Sequence, residues 1–339
     1  MIAQLSRRYF IVRPFKSFIR LLAYLLIEGR PIGTRGRFIN PIIFFLFRIE
    51  GRIPVIKNPD RPVFILGTGR NGSTALGMAL SLHWKIGFLN EAKALWHSVV
   101  PNADVLGNYS RSENVRFIFS KSDATRSVIK KCRRITSFYL LLSGSSIMLD
   151  KCSEFVYRVP FLKAIFPKAR FIFLMRSGVE FCSSVCLWSE KYGINDGSSR
   201  IDWWGKDGKK WNHIINELVA REPAISHLEP VIQNLEKQVD KAAVEWIITT
   251  RIGLRLRGEC PDEVLTIRYE NLIEDPANEM IKICNFLEID KDKKMIDYGE
   301  RELTRPLTYR TVNIHPKIRP AFEETLALAG YSERIKDVF

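Results

Sequence analysis

The sequence predicts an α/β fold of three layers, with a central, mainly parallel sheet flanked by helices. Three observations predict it. Short apolar runs recur at 63–66, 146–150, 169–175 and 263–269, each of strand length, the first of them β-branched and aromatic. Helical patterns lie between them, the alternation that parallel strands need for their crossovers. The first run breaks into a glycine loop, Gly67-Thr-Gly-Arg-Asn-Gly72, and restarts at Ser73 as a helical pattern through Met78, Ala79 and Leu82, so the architecture is P-loop-like.

That first junction carries the chemistry. Backbone N–H groups at a helix start, here those of Gly72, Ser73 and Thr74, converge on one point and carry the positive end of the helix dipole, which favours a phosphate or similar oxyanion. The spacing matches G-x-x-x-x-G-K-[ST], except that Ser73 stands where lysine belongs and the cation has moved to Arg70 inside the loop. A nucleotide triphosphatase needs that lysine and a magnesium-holding carboxylate, yet the strand at 169–175 ends in Arg176. GTGRNGST instead resembles the 5′-phosphosulfate loop of sulfotransferases that use 3′-phosphoadenosine 5′-phosphosulfate (PAPS), in a motif layout similar to the Golgi and bacterial type that includes tyrosylprotein and carbohydrate sulfotransferases.

The chain has 339 residues and a net charge of +15, which implies anionic company without choosing among nucleotide, acidic glycan, membrane and nucleic acid. Residues 1–60 hold eleven of the basic residues against three acids, over half of that excess. Residues 1–58 are therefore expected as a basic, partly apolar extension, and 59–339 as the domain. Apolar runs at 18–27 and 38–47 fall short of the roughly 20 residues that span a bilayer. Basic residues beside Phe and Leu suit an interfacial helix on an anionic membrane surface through residues 1–55, and a helix packed on the domain edge gives the same pattern. The runs start late for a signal peptide. Six scattered cysteines without C-x-x-C point to a reducing cytosol, and Cys182 and Cys186, four apart on a helix, to packing. The expected location is cytoplasmic, with peripheral membrane attachment as the further reading.

After the loop, an extended segment at 86–90 leads to Glu91, an acid on the loop's side of the sheet. It resembles the catalytic glutamate at the matching place in tyrosylprotein sulfotransferases and related bacterial enzymes; a helix N-terminal charge is the plainer reading. His97 is a second nearby base outside any matching motif. The strand at 146–150 runs into Lys151, at the sheet edge where open α/β folds place ligands. The stretch from Leu149 to Gly178 resembles the family's passage from a recurrent lysine to its second motif. There Arg176 and Ser184, or its neighbour Ser183, resemble the pair that binds the ribose 3′-phosphate; a forked cation and a hydroxyl suit a doubly charged phosphate. Ser177-Gly178 replaces the family's usual Asp-Pro or Asp-Gly. VLTIRYENLIEDP resembles the third recurrent segment, whose tyrosine, here Tyr269, approaches the adenosine or else belongs to the core. Arg310, in the tail around 308–311, is a further candidate to close over the nucleotide.

The resemblance, spanning about 60–335, implies a sulfuryl transfer from PAPS to an acceptor hydroxyl. Glu91 would act as base, Arg70 and Lys151 would stabilise developing charge, and Arg70, Asn71, Gly72, Ser73, Thr74, Arg176, Ser184 and Tyr269 would bind the co-substrate, with no metal and no nucleic-acid partner. The aromatic and basic insertion between Trp188 and Glu236, with Trp203, Trp204 and Trp211, leans the acceptor towards a glycan or glycolipid. A P-loop small-molecule kinase and a non-catalytic binder of acidic glycan or lipid are the other classes the motifs leave open.

Overall fold

The computed structural model describes residues 7–109, 114–195, 197, 199–303 and 310–339. Among these, five strands form one parallel sheet, β1 (Val63–Leu66), β2 (Ile86–Asn90), β3 (Ile147–Lys151), β4 (Arg170–Met175) and, after the insertion, β8 (Val264–Arg268), in the order β2-β3-β1-β4-β8. The insertion contributes a second, small antiparallel sheet of β5 (Ile194–Asn195), β6 (Arg200–Asp202) and β7 (Gly205–Lys206). The three-layer α/β arrangement expected from the strand and helix alternation is the one found.

Alternation within each strand builds two cores. Phe64, Leu66, Met148, Phe171 and Phe173 face one side, Val63, Ile65, Leu149, Ile172 and Leu174 the other, and all are buried. A parallel strand covered on both faces has no polar side, which is why these segments read as continuous apolar runs. Helix α4 (Ser73–Leu80) follows β1 and packs on β2 so closely that a Cβ on Gly77 would stand 2.4 Å from the Phe88 ring.

The basic extension is structured. Helices α1 (Arg7–Val12), α2 (Pro14–Leu26) and α3 (Asn40–Glu50) join the cores through Tyr9, Ala23, Ile27, Ile43 and Phe47. Strand β2 lies at the sheet's edge, and α2 covers that edge with charge. Lys16 Nζ donates to the carbonyls of Trp84 and Ile86 at 3.1 and 2.7 Å, and Arg20 Nη1 to that of Phe88 at 2.5 Å. Arg20 is also paired with buried Glu28, which accepts from the Asn90 N–H at 2.6 Å. Edge carbonyls and amides that would template another strand are thereby satisfied from within. The helix Arg126–Ser143 likewise anchors its cations: Arg133 pairs with Asp60 at 2.5 Å, and Arg134 Nη1 donates to the Gly51 carbonyl at 3.1 Å.

Removing one member of a buried ion pair leaves the other unmatched, so Arg20→Met is expected to lower stability in urea by roughly 3 kcal/mol, and adding Glu28→Gln to recover part of it; an unchanged midpoint for Arg20→Met would remove the edge-capping role. Asp150, buried in β3, has its carboxyl pushed up to about 7 by burial, against the opposing hydrogen bond from Trp96 Nε1 at 2.8 Å. A folded pKa above the unfolded one gives stability that is full below about pH 4 and lost as pH rises through 7. Asp150→Asn does not titrate, so its stability relative to the parent should climb by roughly 2–4 kcal/mol between pH 4 and 8, as read from urea midpoints across pH; a flat difference would contradict the raised pKa.

Candidate functional site

The five parallel strands deliver their carboxyl ends to one edge, and each ends at or one residue before a position singled out from the sequence. β1 opens into the glycine loop at Gly67, β2 into Glu91, β3 closes on Lys151, β4 precedes Arg176, and β8 precedes Tyr269. The register fixes the spacing: Lys151 pairs with Asn90 on one side and Ile65 on the other, while Met175 pairs with Arg268. The chain steps to β2 and β3 on one side of β1 and to β4 and β8 on the other. The loop therefore sits where the strand order reverses, the crevice in which open α/β sheets bind ligands.

The loop is held open by what lines it. Gly72, at φ +90°, leaves no room for a Cβ, which would lie 2.4 Å from the Tyr269 ring, and a Cβ on Gly69 would lie 2.4 Å from Trp203. Asn71 is buried; its Nδ2 donates to the Leu174 carbonyl at 2.8 Å and its Oδ1 accepts from the Ser73 N–H at 3.2 Å. The Asn71 side chain thus braces the loop against β4 and engages the Ser73 amide.

The second motif meets the first. Arg176 Nη1 donates to the Arg70 carbonyl at 2.7 Å, its guanidinium lies 4.6 Å from the centre of the Tyr269 ring, and Trp246 Nε1 fixes its carbonyl at 3.0 Å. Arg70 Nε donates to Ser184 Oγ at 3.1 Å, and Arg310 Nη1 to Ser183 Oγ at 3.1 Å. The two serines that sequence could not separate thus each take one arginine. Arg310 lies at the site, whereas Thr308 and Tyr309 fall outside the described residues. Arg176 Nε and Ser177 Oγ are buried with no hydrogen-bond partner among the described residues. Three guanidinium groups and three hydroxyls, Arg176 Nε and Ser177 Oγ among them still unsatisfied, are donors of the kind a doubly charged phosphate takes.

On the other flank, opposite charges alternate. Lys151 Nζ donates to Glu91 Oε1 at 2.6 Å, Lys93 lies 3.8 Å from Glu91 Oε2, and Lys93 pairs with Glu154 at 3.1 Å. Burial would raise the Glu91 carboxyl, but the ammonium groups of Lys151 and Lys93 outweigh it and hold the pKa below the ordinary glutamate range. Glu154, buried, is likewise depressed once Lys93 and Arg158 overcome its desolvation. Glu91 takes a left-handed backbone, φ +58°, and Arg70 does so at +59°, two of only four such non-glycine residues among those described. Such conformations persist where the surroundings over-determine them: the Glu91 N–H donates to the Lys151 carbonyl at 3.0 Å, continuing the β2–β3 ladder one residue past the strand.

Sequence reasoning missed Lys93 and Glu154. The available signal was charge alternation in two short segments, Glu91-Ala-Lys93 and Lys151-Cys-Ser-Glu154. His97 packs edge-on against Phe44 and beside Tyr109, with Nδ1 3.1 Å from the Pro101 carbonyl. In the insertion, Trp204 and Trp211 are buried against each other, while Trp203 covers Gly69 and donates through Nε1 to Glu245 at 2.7 Å. Cys182 and Cys186 lie in α8 (Gly178–Tyr192), the first buried and the second half-buried. Among the described residues, no three His, Cys, Asp or Glu side chains gather as metal ligands.

Residues 62–228 match the sulfotransferase family and residues 201–308 the sulfotransferase domain, so the matched segments contain every strand-end residue named above. No curated protein is similar enough to this chain to match. Among solved structures, a sulfotransferase from Mycobacterium avium is 14% identical with a TM-score of 0.48, covering 95% of this chain and 91% of its own. One from Mycobacterium tuberculosis is 13% identical with a TM-score of 0.46, covering 95% and 93%. The sulfotransferase domain of a Synechococcus olefin synthase is 16% identical with a TM-score of 0.44, covering 82% and 97%. By its matched families, the chain belongs to the sulfotransferases.

Proposed function

We propose that the protein moves a sulfuryl group from PAPS to the hydroxyl of an acceptor, with Glu91 as the general base. The observation that carries this reading is the division of the sheet edge into two charge environments. On one side of the loop, Arg70, Arg176 and Arg310 converge with Ser183 and Ser184, a donor set for a dianionic 3′-phosphate. On the other, an ionised carboxylate sits beside an ammonium group, Glu91 against Lys151.

PAPS, when bound, supplies the activated sulfuryl group. The Gly72 and Thr74 N–H groups would hold its 5′ end at the start of α4, and Tyr269 would lie beside the nucleotide, against Gly72 and Arg176. The Glu91 side chain is 43% exposed and can meet an acceptor from solvent. It would take the hydroxyl proton as the acceptor oxygen attacks sulfur in line and the sulfur–oxygen bond to the nucleotide breaks, releasing adenosine 3′,5′-bisphosphate, a form of help worth roughly 10²- to 10⁴-fold. Lys151, turning from Glu91 to the sulfuryl oxygens, would stabilise charge developing there and free the carboxylate as it does so. Arg70 would bridge the halves from inside the loop. A sulfuryl group carries less negative charge than a terminal phosphoryl, so these donors suffice in number. For the acceptor we take a glycan or glycolipid hydroxyl; its support is Trp203, half-exposed beside the loop, since Trp204 and Trp211 belong to the core.

Calorimetric titration with adenosine 3′,5′-bisphosphate should show Arg176→Ala binding roughly 10- to 100-fold more weakly than the parent; undiminished affinity would remove the second motif from the nucleotide site. Glu91→Gln should bind the bisphosphate as the parent does and lose roughly 10²- to 10⁴-fold in transfer from labelled PAPS. Because the Glu91 carboxyl is held low, the acid limb of kcat/KM in the parent should fall below the ordinary glutamate value of about 4.3. Full activity in Glu91→Gln assigns the base elsewhere.

A further inference from the structure

Helix α2 is built inside out. Its buried side holds Lys16 and Arg20, engaged on the edge of β2, whereas Phe15, Phe18 and Leu25 are exposed, with Ile11 before them and half-exposed Leu22 between. Positions 11, 15, 18, 22 and 25 fall on one helical stripe, and every one of them is apolar. Phe38, just before α3, and Ile42, Phe45 and Ile49 on it form a second exposed apolar stripe, with Phe38 76% exposed, while Ile43 and Phe47 fill the buried side. An apolar surface this extensive marks a place where something docks.

The charge around it identifies the occupant. In residues 7–56 the exposed charged side chains are Arg7, Arg8, Arg35, Arg37, Arg48 and Arg52, while both acids, Glu28 and Glu50, are buried. A second copy of the chain laid face to face would set like charge against like. A bilayer with anionic headgroups matches both features, since apolar side chains enter the acyl boundary and arginines meet phosphate oxygens. Among the described residues, no helix is long and apolar enough to cross a membrane, and the stripes need only lie in its surface. We propose that α1–α3 form a docking face for an anionic lipid bilayer. The face is tied to the site segment, because Glu28, just past α2, accepts from the N–H of Asn90, the neighbour of Glu91.

Flotation of the full chain tests this independently of any transfer chemistry. With vesicles of phosphatidylcholine containing phosphatidylglycerol the protein should float, and with phosphatidylcholine alone it should float far less. Phe15→Ser/Phe18→Ser/Phe45→Ser alters only exposed positions, so it should keep the parental melting temperature and lower the vesicle partition coefficient by at least about tenfold. Arg35→Ser/Arg37→Ser/Arg48→Ser, which keeps the apolar stripes, should lose binding to the anionic vesicles selectively. The proposal is overturned if the parent stays unbound with anionic vesicles, or if both triple variants float as the parent does. It is equally overturned if light scattering shows a parental dimer that the phenylalanine variant dissociates, which would assign the face to a second copy.

Discussion

Parallel pairing of β1 with β3 on one side and β4 on the other is the constraint on which the site depends. Those backbone ladders set Ile65 opposite Lys151 and Leu66 opposite Phe173, so the glycine loop, Lys151 and Arg176 emerge at one edge within a few residues of each other. No side chain at the site could be placed independently of that register. A slip of one residue in β3 would exchange its two buried faces and turn Lys151 away from its partners. The apolar runs that fill both cores therefore do functional positioning as well as stabilisation, and the loop after the central strand becomes the hub to which both flanks attach.

The flanks differ in how their charges are managed. Around Arg176 the protein gathers like charges: the guanidinium groups have serine hydroxyls and a carbonyl among their neighbours, and Arg176 Nε and Ser177 Oγ are buried without a hydrogen-bond partner among the described residues, an arrangement that favours the anion proposed above. Around Glu91 it alternates charges, Lys151, Glu91, Lys93 and Glu154 in sequence, so each carboxylate has an ammonium neighbour before any ligand arrives. One flank gathers guanidinium groups, and the other holds a carboxylate between two ammonium groups. The alternation also explains why Glu91 tolerates its left-handed backbone, since its amide and its carboxylate are both bound to Lys151.

Much of this was legible in the sequence because it depends on local pattern. Strand length and the glycine loop are properties of short segments, and the family resemblance is carried by equally short motifs, so Arg70, Glu91, Lys151, Arg176 and Tyr269 could be named, the last four by that resemblance, before their meeting was visible. Pairings across the sheet were not legible in the same way. Lys93 matters through Glu154, sixty-one residues on, and nothing local says that a lysine two residues past Glu91 points into the protein. Asn71 and Ser73 were assigned to a ligand from loop position alone, and only the Leu174 carbonyl across on β4 shows that the Asn71 side chain serves the loop itself. Trp203 reached Gly69 through an insertion whose path no periodicity specifies.

The N-terminal helices show the sharper limit. Apolar residues at helical spacing ordinarily mark the face turned to the core, and basic residues the face turned to water. By that rule α2 would bury Phe15 and Phe18 and expose Lys16 and Arg20. The edge of β2 reverses the outcome: its unpaired carbonyls at Ile86 and Phe88 need donors more than they need methyl groups, and an unsatisfied buried carbonyl is costlier than an exposed phenyl ring. The domain-edge helix, one of the two explanations the sequence offered for this pattern, accounts for the inner face. That face caps the sheet with charge, and because it does so the apolar residues of α2 are left exposed, where the proposed bilayer contact would use them.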